Sequence, residues 1–385
     1  MFSPLLKFQR QTNGRKKIEK WWLFHATNFQ SLMYPCFTIC RILGTFPYKI
    51  NGLFFVISKP YYILSNIIMC VFCFSALMIL YTINSDQWFN EYNVRRAIEN
   101  NAFYITSSFI IIVTFVLSSP RMCLLQTIMK ISSRLPSELY QKQSVLIHTK
   151  DIIGFFLLFA QALCYLKVQI PVLFNVLFLY SVLLVFQMDM LYINCVCVLK
   201  GCFKKINDDL TNLFINKLYL VKWINHPLLL MELKALKKRH LIISDTVQKL
   251  NILFSPQLLA TIVASFFEIT FEVYFNLIEW NNGLSINWAK KIDHTYAMFY
   301  VGYHFIKIVL IAWACETSKN EAVKISTTVH DILNITNDEE IAFELQLFSL
   351  QTMHCCNTFY AKGLILDATL ITTVSNYLSQ LNVLN

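Results

Sequence analysis

Glu268 and Glu272 stand four residues apart in a mostly apolar run, 252–278, so on a helix both carboxylates occupy one face. Ionisable groups inside such a run are costly and mark either a function or a dedicated partner. Two carboxylates this close hold a cation or resist ionising together. Lys167 and His304 are the intramolecular partners to weigh against a ligand. A second run, 295–315, supplies Tyr296, Tyr300, Tyr303, His304 and Lys307, with Tyr300, Tyr303 and Lys307 at helical spacing. An aromatic wall with a few polar groups suits a small molecule. Lys167, Glu268, Glu272, Tyr300, Tyr303 and His304 are therefore the ligand-binding candidates, with tyrosine packing and internal ion pairing as the competing readings. Lys307 lies deeper, where it pairs with a carboxylate or snorkels. His304 has no second His three or four residues away on its helix, so the pair a metal needs is missing.

A third pattern sits near the C-terminus. Thr369, Thr372, Thr373, Asn376 and Gln380 recur at spacings of three and four, while Leu370 and Val374 fall on the opposite side. A single polar strip lines a conduit only when several chains surround one axis, which implies an oligomer. Asp367 precedes this segment at a position suited to capping its N-terminal end. Asp189, beside Gln187, is expected to hydrogen-bond to a neighbouring helix.

Enzyme chemistry finds no support. There is no nucleophile triad, no His-x-x-x-His cluster and no zincin pattern, and eight glycines in the chain give no phosphate-binding loop. Cys195, Cys197 and Cys202 do not match zinc spacing, and Cys355-Cys356 reads as a reduced pair. No catalytic residue, metal or cofactor is expected.

The elements that must carry these residues follow from composition. Of 385 residues 56% are hydrophobic and 15% charged, where soluble domains carry about 25% charged. This is an all-α membrane composition, and the formal charge of +10 reflects topology, not nucleic acid. Runs of roughly 20 apolar residues cross a bilayer. Seven emerge: 60–83, 102–125, 152–170, 171–199, 252–278, 295–315 and 363–384. An eighth stretch, 33–58, is interrupted by Pro35, Arg41, Pro47, Lys49 and Gly52 and reads as an interfacial or re-entrant helix. Lys and Arg alternate steeply, 27 on the side of the N-terminus and 5 on the other, with Lys307 inside a span. The N-terminus is then cytoplasmic, no cleavable signal is expected, and seven crossings leave the C-terminus outside the cell membrane. No Cys occupies an external loop, and the sequon Asn334-Ile335-Thr336 falls on the cytoplasmic side.

Four regions result: 1–59, a cytoplasmic N-terminus with the interfacial helix; 60–315, spans one to six, containing a long cytoplasmic helical loop at 200–251; 316–362, a cytoplasmic linker and anchor helix; and 363–385, the last, pore-lining span. The helices of spans four, five and six are expected to continue below the bilayer into a cytoplasmic helical layer. The basic cluster Lys237, Lys238 and Arg239 reads as a face turned to lipid headgroups, with a phosphoinositide site as the specific alternative.

Arg41-Ile42-Leu43-Gly44-Thr45-Phe46-Pro47-Tyr48 resembles the Leu-Gly-x-Phe-Pro element near the N-terminus of insect gustatory receptors, and Gly363-Leu364-Ile365-Leu366-Asp367-Ala368-Thr369-Leu370 resembles their approach to the seventh span. That family ends with Thr-Tyr, five apolar residues and Gln-Phe; here Asn376-Tyr377 is followed, five residues on, by Val383-Leu384. The resemblance implies a seven-helix subunit of a tetrameric ligand-gated cation channel, opened by a small-molecule tastant, with the last span around the pore. It adds Tyr377 to Thr369, Thr372, Thr373, Asn376 and Gln380 as pore-lining candidates. Membrane lipid and related subunits, in a homotetramer or heteromer, are the implied partners, and nucleic acid is not. A G-protein-coupled or odorant-type receptor and a membrane transporter are the alternatives. The cytoplasmic N-terminus and the lack of external cysteines weigh against the first, and the lack of a two-half repeat against the last.

Overall fold

The computed structural model of the chain describes residues 24–52, 54–85, 94–165, 172–220, 226–281 and 288–383. Helix α1 (Phe29–Ile42) leads into a hairpin of β1 (Tyr48–Asn51) and β2 (Phe54–Ile57). Six long helices follow with one short one among them: α2 (Lys59–Ile83), α3 (Val94–Val116), α4 (Ser118–Ser132), α5 (Ser137–Tyr165), α6 (Val172–Leu220), α7 (His226–Asn281) and α8 (Trp288–Ile335). The chain closes with α9 (Glu339–His354), a hairpin of β3 (Tyr360–Ala361) and β4 (Leu364–Ile365), and α10 (Ala368–Val383). The helices α2, α3, α5, α6, α7 and α8 are long and apolar enough to cross a membrane.

Burial sorts these helices by role. On α2, Phe74 and Leu77 are each 68% exposed and Tyr81 77%, a face that suits lipid and would be untenable in water. On α6, Tyr192, Ile193, Cys195, Val196, Val198 and Leu199 are all buried, so this helix is the core around which α3, α5, α7 and α8 pack. Helices α6, α7 and α8 contain 49, 56 and 48 residues. At about 1.5 Å per residue each rises roughly 70 Å or more, over twice the thickness of a hydrocarbon core. Their charged C-terminal or N-terminal ends project beyond the apolar zone and, with α9, build a second helical layer. Lys237 Nζ meets Glu344 Oε2 at 2.6 Å, and Gln351 Nε2 of α9 bonds the Lys237 carbonyl at 2.9 Å and His240 Nδ1 at 3.0 Å. Thr328 of α8 donates to Asn207 of α6 at 2.7 Å.

Several expectations need correction. The run 102–125 is not one span: α3 ends at Val116 and α4 begins at Ser118, because Pro120 has no N–H to offer the Val116 carbonyl. The apolar run from residue 152 lies in the second half of a longer helix that starts at Ser137. The stretch 33–58 is a helix and a hairpin, packed on α4, α5 and α6. The basic cluster does not present a uniform face to headgroups, since Lys237 bonds Glu344 and Arg239 Nη1 lies 3.8 Å from Asp209 Oδ2. The last helix starts at Ala368, not at Gly363, which sits in a turn.

Both motifs have a local physical cause. Gly44 ends α1 with φ +74°, a left-handed conformation that glycine adopts without strain, and a Cβ there would meet Ile68 Cδ1 at 2.9 Å. Its carbonyl accepts a hydrogen bond from Ser65 Oγ of α2, and Phe46 stacks on Phe37 at 4.7 Å. Lys362 and Gly363, at φ +47° and +94°, form the two-residue turn of the β3–β4 hairpin, with Tyr360 opposite Ile365. Leu366 is then buried and Asp367 is left at the head of α10.

Candidate functional site

The polar groups placed inside apolar helices converge on one cavity at the end of the bundle away from α9. Helix α3 contributes Phe103, Thr106, Ser107 and Ile110, and α5 contributes Gln161. Thr261, Ala264 and Glu268 come from α7, and Tyr300, Tyr303, His304 and Lys307 from α8. The cavity between these side chains is about 40 Å³, so a ligand of more than a few atoms must part them to enter. Thus Glu268, Tyr300, Tyr303 and His304 are gathered as a group. Glu272 is buried one turn further along α7 without lining the cavity, and Lys167 lies outside the described residues.

His304 does not pair with either glutamate. Its Nδ1 lies 3.1 Å from Ser265 Oγ, and its ring packs between Tyr300 and Tyr303, with centroid distances of 4.7 and 5.2 Å. A small hydroxyl one turn from Glu268 satisfies the imidazole without moving a charge. Glu268 is 3% exposed, lines the cavity with Tyr300 and leaves Oε2 without a partner.

Below the cavity floor Asp189, fully buried on α6, joins three helices. Its Oδ1 accepts from Gln257 Nε2 and Thr261 Oγ1 of α7, each at 3.2 Å, and Lys307 Nζ of α8 lies 4.0 Å from Oδ2. Lys307 Nζ also sits 5.3 Å from the Tyr303 ring centre. The expected hydrogen bonding of Asp189 to a neighbouring helix is found, and so is a carboxylate partner for Lys307. Close by, Arg121 of α4 donates to the Leu253 carbonyl at 3.1 Å and covers the Phe254 ring at 4.3 Å.

Gln161 was missed from the sequence, although a lone carboxamide between Phe159 and Leu163 is a signal of the same kind as Gln187. It is 1% exposed, and its Oε1 has no partner. With Val182 it also borders an apolar groove of about 360 Å³ between α5 and α6, walled by Phe155, Phe159, Phe178 and Leu179.

Helix α10 packs on α7 and α8. Thr369, Thr372, Thr373 and Asn376 are exposed along one side, while Leu370 and Val374 are 5% and 1% exposed against the bundle. Tyr377 and Gln380 continue the helix, and their side chains lie outside the described part of the structure. Asp367 caps α10 as expected, accepting from the Thr369 backbone N–H at 3.0 Å, and Lys319 Nζ of α8 reaches Asp367 Oδ2 at 3.7 Å. Among the described residues no three His, Cys, Asp or Glu side chains form a metal site, and the cysteines are unpaired.

A family model described as 7tm Chemosensory receptor matches residues 33–375. The chain belongs to this chemosensory receptor family. The receptor is 32% identical over 145 residues to a Drosophila melanogaster protein named gustatory receptor 28b, and 31% identical over 146 residues to one named gustatory receptor 28a. These matches span 36% and 37% of the receptor, and only 30% and 32% of the length of those relatives. Its fold is similar to the insect olfactory receptor OR5 from Machilis hrabei, with a TM-score of 0.72 at 10% identity over 92% of this chain and 97% of that one. The same olfactory receptor in complex with eugenol gives a TM-score of 0.66 at 12% identity, over 92% and 98% of the two chains. The chemosensory receptor family thus accounts for most of the chain, with the gustatory matches confined to about a third of it, and the receptor is not an enzyme.

Proposed function

We propose that the receptor is a subunit of a ligand-gated cation channel, opened by a small-molecule tastant that binds in the cavity between α3, α7 and α8. The observation that carries this reading is the continuity of α8. One unbroken helix bears Tyr300, Tyr303, His304 and Lys307 on the cavity and, twelve residues beyond Lys307, bears Lys319 at the head of α10. The separation is about 18 Å along a stiff rod. A ligand that displaces or rotates α8 therefore bears on the helix whose exposed polar strip is the pore candidate, and it shifts the closed–open equilibrium by its preference for one state. Thr369, Thr372, Thr373, Asn376, Tyr377 and Gln380 line the conduit in this reading, in a homotetramer or a heteromer with related subunits. The excess of Lys and Arg on the N-terminal side supports a cytoplasmic N-terminus, a cavity in the outer half of the membrane and an extracellular C-terminus. The names of the Drosophila relatives support taste over olfaction, and the eugenol complex of the Machilis olfactory receptor supports a small-molecule ligand.

The test is whole-cell recording from cells expressing the receptor, alone and with a related subunit, during application of small aromatic amines and alcohols. Evoked cation current that changes in selectivity with Asn376→Asp and in conductance with Thr373→Val supports the channel and its pore. Current indifferent to both substitutions overturns the assignment of α10. An epitope at Met1 that antibodies reach in intact cells overturns the orientation and favours a G-protein-coupled arrangement.

A further inference from the structure

The cavity just described is lined by two side chains with a buried acceptor left unmatched. Glu268 and Gln161 both line the cavity region, both are no more than 3% exposed, and neither Glu268 Oε2 nor Gln161 Oε1 has a hydrogen-bond partner. Two of the nearby donor side chains are turned to other partners. Lys307 faces Asp189 and the Tyr303 ring, and His304 Nδ1 is engaged with Ser265. Buried polar atoms left unmatched are rare in folded proteins and call for an occupant that completes them. Among the described residues the field on that occupant is mainly negative, because Glu268 lies within electrostatic reach of Glu99 and Glu272, against Lys307 as the cation. Glu99 and Glu272 have interactions of their own, so the demand for positive charge centres on Glu268. Around it the walls are aromatic: Tyr300 at its side, Phe103 and Tyr303 across the cavity. Ring faces attract cations as well as apolar groups.

We propose that the tastant is a small aromatic or apolar amine, bound as its ammonium, with the charged nitrogen on Glu268 and Gln161 and the apolar body against Phe103, Tyr300 and Tyr303. This rests on the cavity being the ligand site of the proposed channel. An anionic ligand would meet the like charge of Glu268 and, among the described residues lining the cavity, a Lys307 already turned to Asp189. A neutral alcohol has one proton to give to two acceptors and no charge for the carboxylate. An ammonium has three N–H donors and the matching charge, and charge-assisted hydrogen bonds are the stronger kind.

The experiment measures binding directly by titration calorimetry, with the purified full-length receptor in lipid nanodiscs at neutral pH and no current to record. The probes are 2-phenylethylammonium, 2-phenylethanol and 3-phenylpropanoate, which share a ring and a tether and differ in charge. The ammonium should bind saturably and about tenfold to a hundredfold tighter than the alcohol, as expected for one charged hydrogen-bonded contact, and the carboxylate should not bind. Glu268→Gln should lower ammonium affinity about tenfold or more and bring the ratio of ammonium to alcohol affinity close to one. Equal affinity for ammonium and alcohol, a preference that survives Glu268→Gln, or no saturable binding of any probe overturns the proposal. If Glu268→Gln does not fold, the ratio in the unsubstituted receptor decides alone. Amine binding without any evoked current counts against the channel reading and not against this one. Alcohol-evoked current without amine preference counts the other way.

Discussion

Replacing Lys307 by Met asks whether the cluster under the cavity is held by charge. Asp189 is wholly buried, with Oδ1 satisfied by Gln257 and Thr261 and Oδ2 lacking a hydrogen bond, 4.0 Å from the Lys307 ammonium. At that distance two unit charges attract by about 4 kcal/mol at an effective dielectric constant of about 20. Removing the ammonium leaves a buried carboxylate facing two neutral donors, and loss of one member of a buried pair costs about 3–5 kcal/mol. Arg121 still acts on Asp189 from further away, so the expected loss is at the low end, about 3 kcal/mol. Neutralising both groups, with Asp189→Asn and Lys307→Met, removes the stranded charge and should cost about 1 kcal/mol or less. The assay is unfolding of the purified receptor in mixed micelles as the denaturing detergent fraction rises, read by helical circular dichroism. A Lys307→Met receptor within about 0.5 kcal/mol of the unsubstituted one, or a double variant as unstable as the sum of the singles, would refute the buried pair as the tie between α6 and α8.

Three further outcomes follow from particular contacts. A Cβ on Gly154 of α5 would sit 2.5 Å from the buried Phe186 ring of α6, so Gly154→Ala should lose about 1–3 kcal/mol by overpacking, whereas Gly302→Ala, with nothing within 4 Å, should lose nothing in the same unfolding assay. Lys237 hydrogen-bonded to Glu344 holds that carboxyl below its usual range, so the unfolded chain takes up a proton before the folded one does as the pH falls. Stability from Glu344 is thus complete above the ordinary carboxylate pKa and is lost as pH falls through the lower folded value; Lys237→Met should flatten that acid-side decline in melting temperature. Asp367→Ala removes the cap of α10 and the contact to Lys319, which should cost about 1 kcal/mol and speed hydrogen exchange over 368–372, while Asp367→Asn should keep the cap and lose only the ion pair.

The sequence carried the scaffold well where a single helix decides the pattern. Apolar run length located the long helices, the charged tails of α6, α7 and α8 announced a second layer, and spacing alone placed Leu370 and Val374 inward with Thr369 and Thr373 outward. What escaped depends on partners distant in the chain. Nothing near Asp189 points to Lys307, 118 residues on, or distinguishes Ser265 from Glu268 as the partner of His304. The break at Leu117 is marked by Ser118-Ser119-Pro120-Arg121, but the apolar residues Met122 to Leu125 beyond it extend the run, and the missing N–H of Pro120 is what separates two helices from one. Gln161 was overlooked because its flanks, Phe159 to Leu163, read as plain lipid-facing span, yet α5 turns that one residue inward.

Imaging of the purified full-length receptor in lipid nanodiscs by single-particle cryo-electron microscopy tests the conduit most directly. Four subunits should surround one axis, with α10 innermost and Thr369, Thr373 and Asn376 turned toward it. A solitary subunit, or an assembly with α10 at its rim against lipid, would contradict the reading of α10 as the wall of a pore.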